Sequence, residues 1–133
     1  MTNPRVAALL AASELLGGPR TPGLDAAAIT GSDDAFTKGV GLLYAKRASD
    51  AVDPLARAVR ERERQLTRVP SEIYAAAMLY GRALLEAGKF DDAAVAYLKA
   101  LDQRPSDPKA RKARAEALIG AGKPEAAESL LGR

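Results

Sequence analysis

The sequence predicts an all-α protein made of antiparallel helix hairpins stacked in a row, and three observations carry that expectation. First, Gly88-Lys89-Phe90-Asp91-Asp92-Ala93 recurs in outline as Gly122-Lys123-Pro124-Glu125-Ala126-Ala127, an offset of 34 residues. A period of that size marks units of one helical pair, each with an apolar face that only a neighbouring unit can cover. Second, the register extends beyond the glycines: Gly81 pairs with Ala115, Leu84 with Leu118, Ala93 with Ala127 and Tyr97 with Leu131, small matching small and large matching large. Helices that cross closely need a residue without bulk at the contact and apolar residues one turn away to fill the space beside it. Gly81 or Ala115 is expected at the crossing on the first helix, with Ala93 or Ala127 facing it from the second. Third, hydrophobic residues make up 47% of the chain and aromatic ones only 5%, a composition suited to helices packed through small contacts.

The elements follow from their punctuation. Asn3 as N-cap and Pro4 in the first turn open a helix through Val6 to Leu16, which Gly17-Gly18 ends. Glu14 interrupts that apolar run and only Arg5 precedes it, so a helix is preferred to a secretory signal. Gly17 to Ser32 contains two prolines and several glycines and is expected to be a linker, with a short helical turn at Asp25 to Ile29. Asp33 or Asp34 caps a helix to about Lys46. Asp53-Pro54 is expected to open the next, running to about Arg68, because Pro70 disfavours helix at Val69. Ser71 caps a third that Gly88 ends, and Phe90 to about Gln103 forms the fourth. Asp107-Pro108 opens the fifth, closed by Gly120 and Gly122, and Pro124 starts the last. Short loops between these helices make antiparallel hairpins the natural packing.

At the repeated positions the chain resembles the tetratricopeptide repeat family, in which small residues stand at repeat positions 8, 20 and 27, a large apolar residue at 11, an aromatic at 24 and proline at 32. With Tyr74 as position 1, Gly81, Ala93, Ala100, Leu84, Tyr97 and Pro105 fill those places. Ala77 replaces the tryptophan frequent at position 4. The next unit fits from Pro108 through Leu131. An earlier, degenerate unit begins at Asp34, where Val40-Gly41-Leu42-Leu43-Tyr44 reproduces the start of the pattern, but the step from Gly41 to Gly81 is 40 residues and the register slips. The resemblance implies a right-handed superhelix with two good repeats and one worn one. Residues 1–33 would form an N-terminal extra helix and linker, and 34–133 the repeat domain, divided at about 34–73, 74–107 and a truncated 108–133.

Composition removes several chemistries. The chain of 133 residues has no cysteine and no histidine, which excludes disulfides, thiolate metal sites, a cysteine nucleophile and a histidine base. Gly39-Val40-Gly41 lies inside a helical pattern without a preceding strand and is no phosphate loop. Asp33-Asp34 and Asp91-Asp92 fall where helices begin, where the helix dipole favours acids, so capping is preferred to metal or acid/base work. Tyr74, Tyr80 and Tyr97 are expected to pack in the core. No enzyme, cofactor or metal site is expected. No run approaches the ~20 apolar residues of a membrane span, and a cytoplasmic setting is favoured.

The resemblance places the concave, partner-binding face on the first helix of each unit, largely at positions 2, 5, 9 and 12. Carried across, those positions give a basic groove with an apolar floor, of which Lys38, Leu42, Met78, Arg82, Leu85, Lys109, Lys112 and Ile119 are the candidate contacts. A partner peptide or helix bearing acidic groups would be held there by charge-assisted hydrogen bonds. The five-residue carboxylate clamp that holds chaperone tails in related domains aligns with Lys38, Leu42, Leu79, Lys109 and Ala113, matching at two places only, so chaperone docking is not supported. The expected function is therefore a non-catalytic interaction adaptor or scaffold. A small secretion-type chaperone of the same repeat class is an alternative. So is an architectural subunit that assembles with its own kind through an uncapped C-terminal end at Leu130 and Leu131. Arg57, Arg60, Arg64 and Arg68 form a stripe that raises nucleic-acid binding as a lesser alternative, but interspersed Glu61 and Glu63, the absence of interleaved aromatics and a net charge of +3 favour a solvated face. The N-terminal helix is expected to cap the degenerate repeat, with occupation of the groove as the other possibility.

Overall fold

The computed structural model describes residues 3–130. Among them eight helices and no strand follow one another: α1 Pro4–Leu15, α2 Ala26–Thr30, α3 Ala35–Tyr44, α4 Ala48–Arg64, α5 Pro70–Glu86, α6 Phe90–Gln103, α7 Pro108–Gly120 and α8 Pro124–Leu130. Each helix from α2 onward packs on the next, and α1 lies against α3 with lesser contact to α2 and α5.

Local chemistry fixes the starts. Asn3 Oδ1 accepts from Arg5 N at 2.8 Å with Pro4 in the first turn, Asp34 Oδ2 from Thr37 N at 3.0 Å, and Asp107 Oδ2 from Ala110 N at 3.1 Å. These bonds satisfy amides that a helix N-terminus leaves free. The ends obey one rule repeated three times. After α5, Gly88 takes φ +80° and Lys89 N donates to Leu84 O at 2.8 Å; after α7, Gly122 takes φ +80° and Lys123 N donates to Leu118 O at 2.8 Å. After α3 the same bond runs from Arg47 N to Leu42 O at 2.8 Å, but the left-handed residue is Lys46, at φ 66°. This is the reversal in which a residue past the helix turns left-handed so that a following amide reaches back. Only glycine adopts it without a steric penalty from Cβ.

The core runs continuously through the array, with Val40, Leu55, Val59, Ile73, Leu79 and Leu84 at 2% exposure or less. Glycines set the crossings. A Cβ on Gly81 would lie 2.5 Å from the Tyr97 ring, so the aromatic of α6 seats on α5 where the backbone is bare. Ala93 is buried as expected, and the atoms nearest the bare spot on Gly81 belong to Tyr97. In the first hairpin Gly39 receives Leu55 in the same way.

Three boundaries differ from the sequence reading. α4 begins at Ala48, not at Asp53-Pro54, and holds Pro54 in its interior. An interior proline costs about 3 kcal/mol, and the apolar stripe of Ala51, Val52, Leu55, Ala58 and Val59, buried on both sides of it, offsets that loss. α4 also stops at Arg64, so Arg68 lies in the following turn and the arginine stripe ends one residue early. α5 begins at Pro70, which takes the first helical position with Val69 as the cap, two residues before the expected cap Ser71.

Candidate functional site

A cavity of about 390 Å³ opens between α5 and α7. Tyr74, Met78 and Leu85 of α5, Tyr97 of α6 and Ala113 of α7 supply its apolar wall, with Arg82, Glu86, Lys109 and Glu116 among the charged residues around it. Tyr74, Met78, Arg82 and Leu85 share one side of α5 because they are spaced by four, four and three residues. The remaining edge is not part of the repeats. Leu15, Leu16 and Gly17, from the end of α1, close it.

That edge is held by the two groove cations. Arg82 Nη1 donates to Leu15 O at 2.6 Å and Lys109 Nζ to Leu16 O at 3.2 Å. Carbonyls at a helix C-terminus have no partner inside the helix and carry the negative end of its dipole, so cations are their natural counterparts. Arg82 also pairs with Glu86 at 2.8 Å. Further back, Tyr44 Oη donates to Glu14 Oε2 at 2.9 Å and fixes α1 to α3; this bond, with burial and the carboxylate's charge, raises the Tyr44 pKa.

Beside the cavity, Tyr74 Oη donates to Asp107 Oδ2. The same carboxylate caps α7 through Ala110 N, so one acid ties the start of α5 to the start of α7. Arg104 lies over the Tyr74 ring, 4.0 Å from its centroid. Burial, then the hydrogen bond and charge of Asp107, push the Tyr74 pKa up to about 12. Tyr97 is raised further, first by burial and then by Glu116. Neither phenol ionises near neutral pH, and both act as packing surfaces.

The sequence-derived contacts divide into three groups. Met78, Arg82, Leu85 and Lys109 line the cavity together. Lys38, Lys112 and Ile119 are exposed and do not line it. Leu42 is 5% exposed and belongs to the core, because α1 and α2 lie against α3 and leave only Lys38 and Tyr44 of that helix outside the buried set. The groove is therefore less basic than expected: Glu86 and Glu116 balance Arg82 and Lys109 at the cavity. Of the expected assembly surface, Leu131 and the side chain of Leu130 lie outside the described residues. Sequence reasoning missed Leu15, Leu16, Tyr74 and Tyr97 as lining residues. The spacing signal for Tyr74 was present, four residues before Met78 on the same side; for Leu15 and Leu16 there was none, since they lie far from α5 in the chain.

No described helix is long and apolar enough to cross a membrane. Among the described residues no group of three or more acidic side chains is placed to hold a metal ion. A row of stacked antiparallel hairpins with a cavity along one face defines a helical-repeat fold. Two family models, both of the tetratricopeptide repeat, match the chain, one over residues 36–108 and the other over 84–133. The first spans more than half of the 133 residues, and the chain belongs to the tetratricopeptide repeat family. Repeats of this family generally mediate protein–protein interaction. No curated protein and no solved structure matches the chain.

Proposed function

We propose that the protein is a non-catalytic cytoplasmic adaptor that binds an apolar partner segment in the cavity between α5 and α7. The observation that carries the reading is the composition of that cavity: an aliphatic and aromatic wall of Met78, Leu85, Tyr74 and Tyr97 beside two cations, Arg82 and Lys109, both engaged with backbone carbonyls. Such a wall removes apolar side chains from water at roughly 25 cal/mol per Å². The two cations orient the segment through its carbonyl or acidic oxygens. A helix laid into an apolar groove is the mode this shape supports.

Selection of a displayed peptide library on the full chain tests the proposal. Apolar peptides with acidic or helix-terminal groups are expected to emerge, and their binding is expected to weaken at least tenfold in Met78→Asp and in Arg82→Glu/Lys109→Glu. Peptides that bind both variants as well as the parent chain would place the site elsewhere, and a selection that enriches nothing would remove the proposal.

A further inference from the structure

The orientation of α1 is unusual for a cap. It faces the repeats with Ala7, Ala8, Ala11 and Ala12, all 5% exposed or less, while Val6, Leu9 and Leu10 point to solvent at 49%, 63% and 38%. Beside the Tyr44–Glu14 hydrogen bond, four buried methyl groups are a weak attachment, since each removes far less apolar surface from water than a buried leucine would. The stronger half of the helix is left unused. What α1 does insert is its last turn: Leu15 and Leu16 close the edge of the cavity and their carbonyls occupy Arg82 and Lys109. Behind it, Gly17 at φ +98°, Gly18, Pro19, Pro22 and Gly23 at φ +78° form the linker to α2, tied to α1 where Thr21 N donates to Glu14 Oε2 at 3.3 Å.

We infer that the last turn of α1 is an exchangeable resident ligand of the groove, and that the external partner is a helix ending in consecutive large aliphatic residues with free carbonyls, which enters by displacing it. This rests on the groove being the recognition surface. The internal segment fixes the chemistry: two adjacent leucine side chains on the apolar wall and two successive carbonyl oxygens on the two cations. Docking and release of α1 are then one exchange, and affinity for a partner is reduced by the fraction of time that α1 is seated.

Two measurements on the full chain decide it. In native-state hydrogen exchange without any partner, the amides of α1 are expected to exchange at least 100-fold faster than those of α5 and α6, and at least tenfold faster again in Arg82→Ala/Lys109→Ala. Protection equal to that of α5, or rates that the double variant leaves unchanged, would make α1 a structural cap and overturn the inference. In the second, a fluorescent synthetic peptide of residues 3–18 is titrated into the parent chain and into Ala8→Glu, which places a charge in the seat of α1. At least tenfold tighter binding to Ala8→Glu is expected; no gain in a variant that keeps its helical circular dichroism overturns the inference, and if Ala8→Glu unfolds, hydrogen exchange on the parent chain decides alone. A library peptide that binds the cavity without accelerating exchange in α1 would sink this exchange and leave the adaptor proposal standing.

Discussion

The first hairpin, α3–α4, and the second, α5–α6, are built on one plan and used differently. In both, an arginine near the end of the second helix stacks on an aromatic of the first, Arg62 on Phe36 at 3.9 Å and Arg104 on Tyr74 at 4.0 Å. Both bury a bulky side chain of the second helix over a bare glycine of the first. Yet α3 has ten residues and is buried nearly all round, whereas α5 has 17 and keeps Arg82 and Leu85 partly open beside the cavity. The difference is what covers them. α1 and α2 lie against α3, so on the proposed reading the surface offered to a partner begins at α5.

The strongest way to break the comparison is to empty each core. Leu55 and Leu79 are both fully buried, and Leu55→Ala and Leu79→Ala are each expected to lower unfolding free energy by about 2–5 kcal/mol in denaturant titrations. A small loss for Leu55→Ala alone would show that the first hairpin is not part of the same cooperative core. Next in size is the crossing at Gly81: Gly81→Ala forces Cβ against the Tyr97 ring and is expected to cost about 1–3 kcal/mol by the same assay. The helix ends then separate the two hairpins by sign. Lys46→Gly relieves a left-handed lysine and is expected to stabilise by about 1 kcal/mol, while Gly88→Lys imposes the same strain on the second hairpin and is expected to destabilise by about 1–2 kcal/mol. Equal effects of either change would contradict the shared termination.

The smallest effect is a pH dependence to which Tyr74 of the second hairpin contributes. The folded Tyr74 pKa, about 12, lies above the ordinary value of 10.0, so the folded state holds this proton more tightly. The stabilisation is complete below pH 10 and is lost as pH rises from 10 to 12. Melting temperatures are expected to fall through that window, and less steeply in Tyr74→Phe, where Tyr97, raised by its burial and Glu116, remains along with the raised Tyr44 and Tyr80. An unchanged slope in Tyr74→Phe would mean that the bond to Asp107 does not form in solution.

Much of this was legible in the chain. Asn3, Asp34 and Asp107 announced their helices because a cap is a local bond between residues two or three apart, and Gly88 and Gly122 announced their ends for the same reason. Pro54 misled because a proline penalty is local while the buried stripe on either side of it is tertiary. Position rules found Met78, Arg82, Leu85 and Lys109, whose place depends on helical spacing alone. They also nominated Leu42; the sequence reading offered the N-terminal helix both as a cap on the first repeat and as an occupant of the groove, but nothing local picked out Leu15 and Leu16 as the residues set against Arg82 and Lys109, more than sixty positions away. Contacts of that range leave no periodic trace.

The central claim is that recognition starts at the second hairpin. Its most direct test is a heteronuclear NMR titration of the full chain with a library-selected peptide. The account predicts intermolecular contacts to Tyr74, Met78, Leu85 and Ala113, with none to Val40 or Leu43 of α3. Intermolecular contacts centred on α3, or on the solvent side of α6 at Val95 and Leu98, would contradict it.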